Sequence, residues 1–290
     1  MTPPFPPASK LPSTYLFVPG NRADRCDKAL ASKADAVIVD LEDAVAPADK
    51  PSARASVADW YRRARFAPER VLLRINDETT SWFEDDVAVV RDTGVRGVVL
   101  PKAESVAQIS RVASVLPADG FIVALVETAK GIVEIDALAR APRLQRIAFG
   151  TLDYALDLDL TGDERGLLYP ACRIALASRT AGIASPVAGV TPDIGDEAKL
   201  LADLAFARAC GFGAKLCIHP KQVDAIHTAL RPTEAEIAWA RRVAAAVESG
   251  AGVIQLDGKM VDRPVIAKAM RILDLASSSE SSSSPNHPFV

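Results

Sequence analysis

The sequence is poor in several things that particular chemistries require. It has three histidines, His219, His227 and His287, far apart in kind of context, which disfavours a histidine-rich zinc centre. Its four cysteines, Cys26, Cys172, Cys210 and Cys217, show no C-x-x-C spacing and each lies in a core-like context, so buried reduced thiols are expected, as suits a cytoplasmic protein. No surplus of basic charge exists: the net charge is −3 and there is no Lys/Arg block, so nucleic acid is not an expected partner. No apolar run reaches the length that spans a bilayer, and Met1–Pro7 lacks the basic and apolar regions of a signal peptide, so neither membrane insertion nor export is expected. Also missing are G-x-G-x-x-G, G-x-x-x-x-G-K-[ST] and G-x-S-x-G, which removes the main signatures of dinucleotide sites, P-loops and serine-hydrolase elbows.

What is present is a regular alternation. With 49% hydrophobic residues in 290, the chain can bury one large core with an appendage. After a proline-rich arm (1–13), short β-branched runs alternate with helical patterns. The expected strands are Thr14–Pro19, Ala36–Asp40, Val71–Asn76, Gly97–Leu100, Phe121–Val126, Ile147–Gly150, Pro186–Val190 and Ala214–Ile218. Eight strand-then-helix units with short links predict an α/β fold, a (β/α)8 TIM barrel over residues 14–232, in preference to a doubly wound sheet. A C-terminal lid extension is expected over 233–276 and a disordered Ser-rich tail over 277–290.

Strands buried on both faces put the residues at their carboxyl ends on the rim where barrels place their chemistry. Two apolar runs, Ile122–Val126 and Ile147–Phe149, lead to Glu127 and Asp153. Two carboxylates held there repel unless a cation lies between them, and a hard divalent ion such as Mg²⁺ is the economical candidate. Arg74 stands inside an apolar strand, where a guanidinium needs a partner; it is either a substrate group or the structural mate of Asp40 or Glu42. Lys102 would be held protonated by nearby acids, which argues against a Schiff base, and His219 reads as a hydrogen-bonded structural histidine.

These residues fall in segments with a familiar order: Tyr15–Arg22 (YLFVPGNR), Val39–Val45 (VDLEDAV), Leu73–Asn76 (LRIN), Leu100–Lys102 (LPK), the Glu127 segment, Gly150–Asp153 (GTLD) and Ile218–Val223 (IHPKQV). Together they resemble the citrate lyase β-subunit-like group of the HpcH/HpaI aldolase superfamily, which includes malyl-CoA and citramalyl-CoA lyases. The resemblance implies a Mg²⁺-dependent barrel, a homotrimer or dimer of trimers, that breaks or forms a carbon–carbon bond beside a CoA thioester and handles a small oxo acid. It implies Glu127 and Asp153 as metal ligands and Arg74 as the substrate arginine. Phe17, Arg22 and Lys28 fall where related lyases contact coenzyme A, and the backbone around Leu152 where the oxo-acid carboxylate rests. Asp262 matches a lid aspartate that acts as acid/base in a neighbouring subunit, with Asp257 as a nearby competitor and an N-cap before Pro264 as the alternative reading. Leu152, Ser185–Pro192 and Gly211–Lys215 depart from the group's usual pattern, which leaves open the acid cleaved, thioester hydrolysis on the same site, and a carrier-dependent or non-catalytic subunit.

Overall fold

Alternation along the strands decides what the barrel encloses. The structure, a computed structural model, describes residues 11–63, 66–162, 164–248, 254–256 and 259–281. Eight parallel strands close on themselves in sequence order. They are β1 (Thr14–Pro19), β2 (Ala36–Asp40), β3 (Val71–Arg74), β4 (Gly97–Leu100), β5 (Phe121–Val126), β6 (Leu144–Phe149), β7 (Val187–Ala188) and β8 (Ala214–Cys217). The helices between and after them are α1 (Ala23–Leu30), α2 (Lys50–Arg63), α3 (Phe83–Thr93), α4 (Val106–Ala113), α5 (Ala129–Val133), α6 (Ile135–Leu138), α7 (Thr151–Asp157), α8 (Arg165–Ala181), α9 (Glu197–Ala209) and α10 (Lys221–Leu230). The expected (β/α)8 barrel is therefore the observed one.

Side chains at every second position point inwards. Tyr15, Ile38, Leu72, Val99, Val123, Leu125, Ala148, Val187 and Leu216 fill the barrel interior, and each fully buried aliphatic one contributes roughly 2 kcal/mol. Two residues further along the same inward face lie Phe17, Asp40, Arg74 and Glu127. The period that buries the core thus also delivers these side chains to the carboxyl mouth. At the opposite end, the donors of buried Arg146 (2% exposed) are satisfied by Ser185 O (2.7 Å), Pro12 O (2.6 Å) and Tyr15 Oη (3.1 Å), a plug for the floor.

Helix ends follow local chemistry. Ser105 accepts from Gln108 N while the Gln108 side chain accepts from Ser105 N, a reciprocal cap that starts α4. Gly94, at φ +66°, closes α3 in the left-handed conformation glycine adopts without strain.

The structure departs from sequence expectation at several points. β6 begins three residues earlier than expected and stops at Phe149, and β3 ends at Arg74 rather than Asn76. Asp153 is consequently not at a strand tail; it sits in the first turn of α7, a helix the sequence reading did not anticipate. Cys172 is exposed on α8, not buried, while Cys26 and Cys217 are buried; all four thiols are free. Residues 277–281 are helical, not disordered: Ser277 Oγ bonds Asp274 O, and without Gly or Pro the preceding helix propagates through the serines. Residues 1–10 of the proline-rich arm and 282–290 of the tail lie outside the described residues.

The chain divides into two units, Pro12–Ile226 and a second that holds His227 onwards. Within the second, α11 (Glu234–Glu248) and α12 (Arg263–Ser281) pack through Ala240, Val243, Ala269 and Ile272, beside an antiparallel hairpin of β9 (Ile254–Leu256) and β10 (Lys259–Val261).

Candidate active site

β2 and β3 pair in a register that sets Asp40 beside Arg74. The guanidinium forks onto Asp40, Nε to Oδ1 and Nη2 to Oδ2, both at 2.6 Å, and its Cζ lies over the Phe17 ring, 4.8 Å from the ring centre. The third nitrogen, Nη1, turns to the mouth, 2.8 Å from Glu42 Oε2 and 3.2 Å from Asp43 Oδ2. The structural ion pair weighed from the sequence is therefore formed, and it leaves one edge of Arg74 facing the other acids.

Glu127 leaves the inward face of β5 with 3% exposure. Lys102 N donates to its Oε1 at 2.9 Å. Lys102 adopts φ +43°, a conformation non-glycine residues rarely take, and its ammonium pairs with Asp77 at 3.3 Å. Gly150 packs so closely on Glu127 that a Cβ there would overlap the carboxylate. Burial pushes Glu127 up to about 7; the Lys102 N–H and Arg74 oppose the shift, while Asp153 and Asp43 add to it. Glu42 is pushed up to about 8, again chiefly by burial, with Asp43, Glu127 and Asp40 adding to it against Arg74. Its Oε2 lies in ion-pair range of Arg74 Nη1 yet accepts no well-directed hydrogen bond, so it is an orphaned buried acceptor. Glu127, Asp153 and Glu42 thus share one electrostatic neighbourhood.

That excess of acid is the fit test for a cation. Oxygen donors only, two of them raised by mutual repulsion and burial, and one buried oxygen without a donor match a hard divalent ion. Among the described residues no group of three or more His, Cys, Asp or Glu side chains is arranged to hold a metal. Mg²⁺ commonly takes only one or two carboxylates and completes its shell with water and substrate, and Glu127 and Asp153 are the carboxylates that would hold it.

Other expected residues scatter. Arg22 and Lys28 are exposed on α1, where Arg22 chelates Asp24 (2.9 and 3.0 Å) and Lys28 adds its charge to the same acid. Leu152, 50% exposed, opens α7 next to Asp153. His219 Nδ1 accepts from Lys221 N, the structural role expected. Asp262 caps α12 by accepting from Val265 N (3.1 Å) in the second unit; its competitor Asp257 lies outside the described residues.

A supporting layer escaped the sequence reading. Lys50, 4% exposed, donates to Leu41 O, Glu42 O and Asn76 Oδ1 (2.8, 2.8 and 2.7 Å) with Trp82 5.0 Å from its ammonium. Asn76 in turn bonds Asp86, which Arg54 holds from α2. These bonds pin the loop that carries Glu42 and Asp43. The only visible signals are Pro47 and the helical pattern after it, and neither marks a buried lysine.

A closed parallel barrel with a guanidinium and buried acids at the carboxyl ends of its strands defines a (β/α)8 enzyme working at that mouth. Residues 13–220 match the family model described as HpcH/HpaI aldolase/citrate lyase. A citrate lyase subunit beta-like protein of Deinococcus radiodurans is 38% identical over 281 residues, 92% of this chain and 98% of the relative. A (3S)-malyl-CoA thioesterase of Cereibacter sphaeroides is 34% identical, covering 90% of this chain and 93% of the relative. The crystal structure of CitE from Mycobacterium tuberculosis in complex with magnesium, acetoacetate and coenzyme A superposes with a TM-score of 0.83 at 36% identity, over 93% of this chain and 99% of that one. The chain belongs to the HpcH/HpaI aldolase/citrate lyase family, and is an enzyme of that lyase class.

Proposed function

We propose that this chain is a Mg²⁺-dependent carbon–carbon lyase that cleaves or forms a β-hydroxyacyl-CoA thioester of the malyl-CoA or citramalyl-CoA kind, giving an oxo acid and an acyl-CoA. The observation that carries the reading is Glu127: a carboxylate buried at the barrel mouth, raised to about 7 chiefly by burial with Asp153 adding to it, and in the field of Arg74. The mycobacterial relative, crystallised with magnesium, an oxo acid and coenzyme A, supports the same ligand classes for this site.

Glu127 and Asp153 would hold the metal. When bound, Mg²⁺ supplies positive charge to the oxygens of the oxo acid. Arg74, locked by Asp40 and Phe17, presents Nη1 at a fixed angle to a developing oxyanion, a donor that needs no reorganisation during reaction. Lys102 N and Gly150 hold the Glu127 carboxylate in one orientation. The backbone at Leu152 receives the oxo-acid carboxylate, and Phe17, Arg22 and Lys28 contact the CoA moiety. Asp262 serves as the acid/base at the methyl carbon, delivered from a neighbouring subunit.

A homotrimer or dimer of trimers fits this arrangement, and apolar side chains exposed on α7 and α8, among them Leu156 (82%), Tyr169 (67%) and Leu176 (55%), offer surface for it. No described helix is long and apolar enough to cross a membrane; with the reduced thiols, this supports a cytoplasmic enzyme. The deciding assay is a panel of malyl-, methylmalyl-, citramalyl- and citryl-CoA with Mg²⁺, followed for oxo-acid release. Release from at least one ester supports the lyase. Free CoA without an acyl-CoA product selects thioester hydrolysis instead, the reading favoured by the similarity to a malyl-CoA thioesterase. Inertness towards every CoA ester selects a carrier-dependent or non-catalytic subunit.

A further inference from the structure

Two of the four cysteines meet in the helix layer, away from the barrel mouth. Cys172 lies inside α8 and Cys210 is the C-cap of α9, and the Cys210 thiol is within hydrogen-bonding reach of the Cys172 thiol. Small residues allow the approach. Gly211, at φ +100°, turns the chain out of α9 so close to α8 that a Cβ built on it would lie 3.4 Å from Ala175 Cβ, one turn along from Cys172. Both backbones are fixed: Cys172 belongs to a helix of 17 residues, and Cys210 N donates to Phe206 O and Ala207 O at 3.2 and 3.1 Å.

The other two cysteines are poor competitors. Cys26 and Cys217 are buried, and burial pushes each thiol up to about 12. Cys172 is exposed, whereas Cys210 is half-buried and its thiol is raised by burial and by Cys172. Oxidation follows thiolate character and access, so Cys172 reacts first and Cys210 resolves.

We infer that Cys172 and Cys210 are a modification site, a thiol pair that a hydroperoxide converts to a reversible intrachain disulfide tying α8 to the end of α9. The Cys172 thiolate attacks the O–O bond and takes one oxygen as a sulfenic acid; the other oxygen leaves as water or an alcohol with the proton that the Cys172 thiol released. The Cys210 sulfur then attacks the Cys172 sulfur, the S–O bond breaks, and hydroxide departs with the Cys210 proton as water. The two thiols lose two electrons and the hydroperoxide gains them. Exchange with small thiols restores the pair, so in a reducing compartment the bond is transient.

The test treats the full chain with hydrogen peroxide, blocks the remaining thiols with iodoacetamide and maps the peptides without reductant. Expected are one cross-linked product joining Cys172 to Cys210 within a chain, a fall from four titratable thiols to two in urea, and a return to four with dithiothreitol. Cys210→Ser should stop at a sulfenic acid on Cys172, trapped by dimedone. The inference is overturned by three or four free thiols after peroxide, by a bond between chains, by a bond to Cys26 or Cys217, or by dimedone labelling as strong in the native chain as in Cys210→Ser. Should Cys210→Ser not fold, the thiol count and peptide map of the native chain still decide.

Discussion

Gly150 shows how a single atom governs the site. A Cβ at this position would lie 2.6 Å from Glu127 Cβ and overlap the carboxylate, so Gly150→Ala must turn Glu127 away from Asp153. The expected result is a loss of Mg²⁺ affinity of about 10- to 100-fold with an unchanged circular dichroism spectrum, read by magnesium titration. Lys215 makes a different prediction. Burial lowers its pKa from 10.5 to about 8, with Asp203 opposing. Between those values the unfolded chain binds more protons than the folded one, so stability rises with pH across that window. Below pH 8 the ammonium is charged in both states and its burial cost is present in full. In urea unfolding, the native chain should gain on the order of 3 kcal/mol relative to Lys215→Met between pH 7.5 and 10.5; parallel curves would show that the charge is solvated after all.

At the scale of elements, the loop after β2 is the part most dependent on tertiary support. Asp40 accepts from Glu42 N and Ala44 N, and Lys50 reaches back from α2 to two of the loop's carbonyls. Lys50→Met keeps much of the volume but leaves Asn76 Oδ1 without its donor and removes one of two donors from Leu41 O and from Glu42 O. It should cost about 1–3 kcal/mol in urea unfolding and lower turnover, since the loop carries Glu42 and Asp43. The strands were legible because each is a continuous apolar, β-branched run, as a barrel that buries both faces of its sheet requires. α7 was not, because only Tyr154 of its seven residues is buried and its leucines face outwards, leaving no amphipathic stripe to detect. Gly150 ends the strand, and the helix then carries Asp153 back towards Glu127.

At the scale of the whole molecule, the proposed acid/base Asp262 belongs to the second unit and the proposed metal ligands Glu127 and Asp153 to the barrel unit. If Asp262 acts on a neighbouring subunit, Asp262→Asn and Glu127→Gln chains should each be inactive alone. Mixed oligomers of the two should recover turnover at about a quarter of the sites by random assembly. No recovery on mixing places the acid in its own subunit or removes its role, and size-exclusion chromatography with light scattering verifies that mixed oligomers formed.

The amino-acid sequence by itself determined the barrel, because local periodicity and strand–helix alternation survive in any register of thought about packing: each apolar run can be buried only in a sheet covered on both sides. Which parity faces inwards, and hence that Asp40, Arg74 and Glu127 share the inner face, was decided by closure of the barrel. Tertiary structure alone decided which acids meet. The fork of Arg74 on Asp40, the backbone of Lys102 on Glu127 and the hidden ammonium of Lys50 join residues far apart in the chain. Their energies come from desolvation and close contact, which no linear pattern encodes.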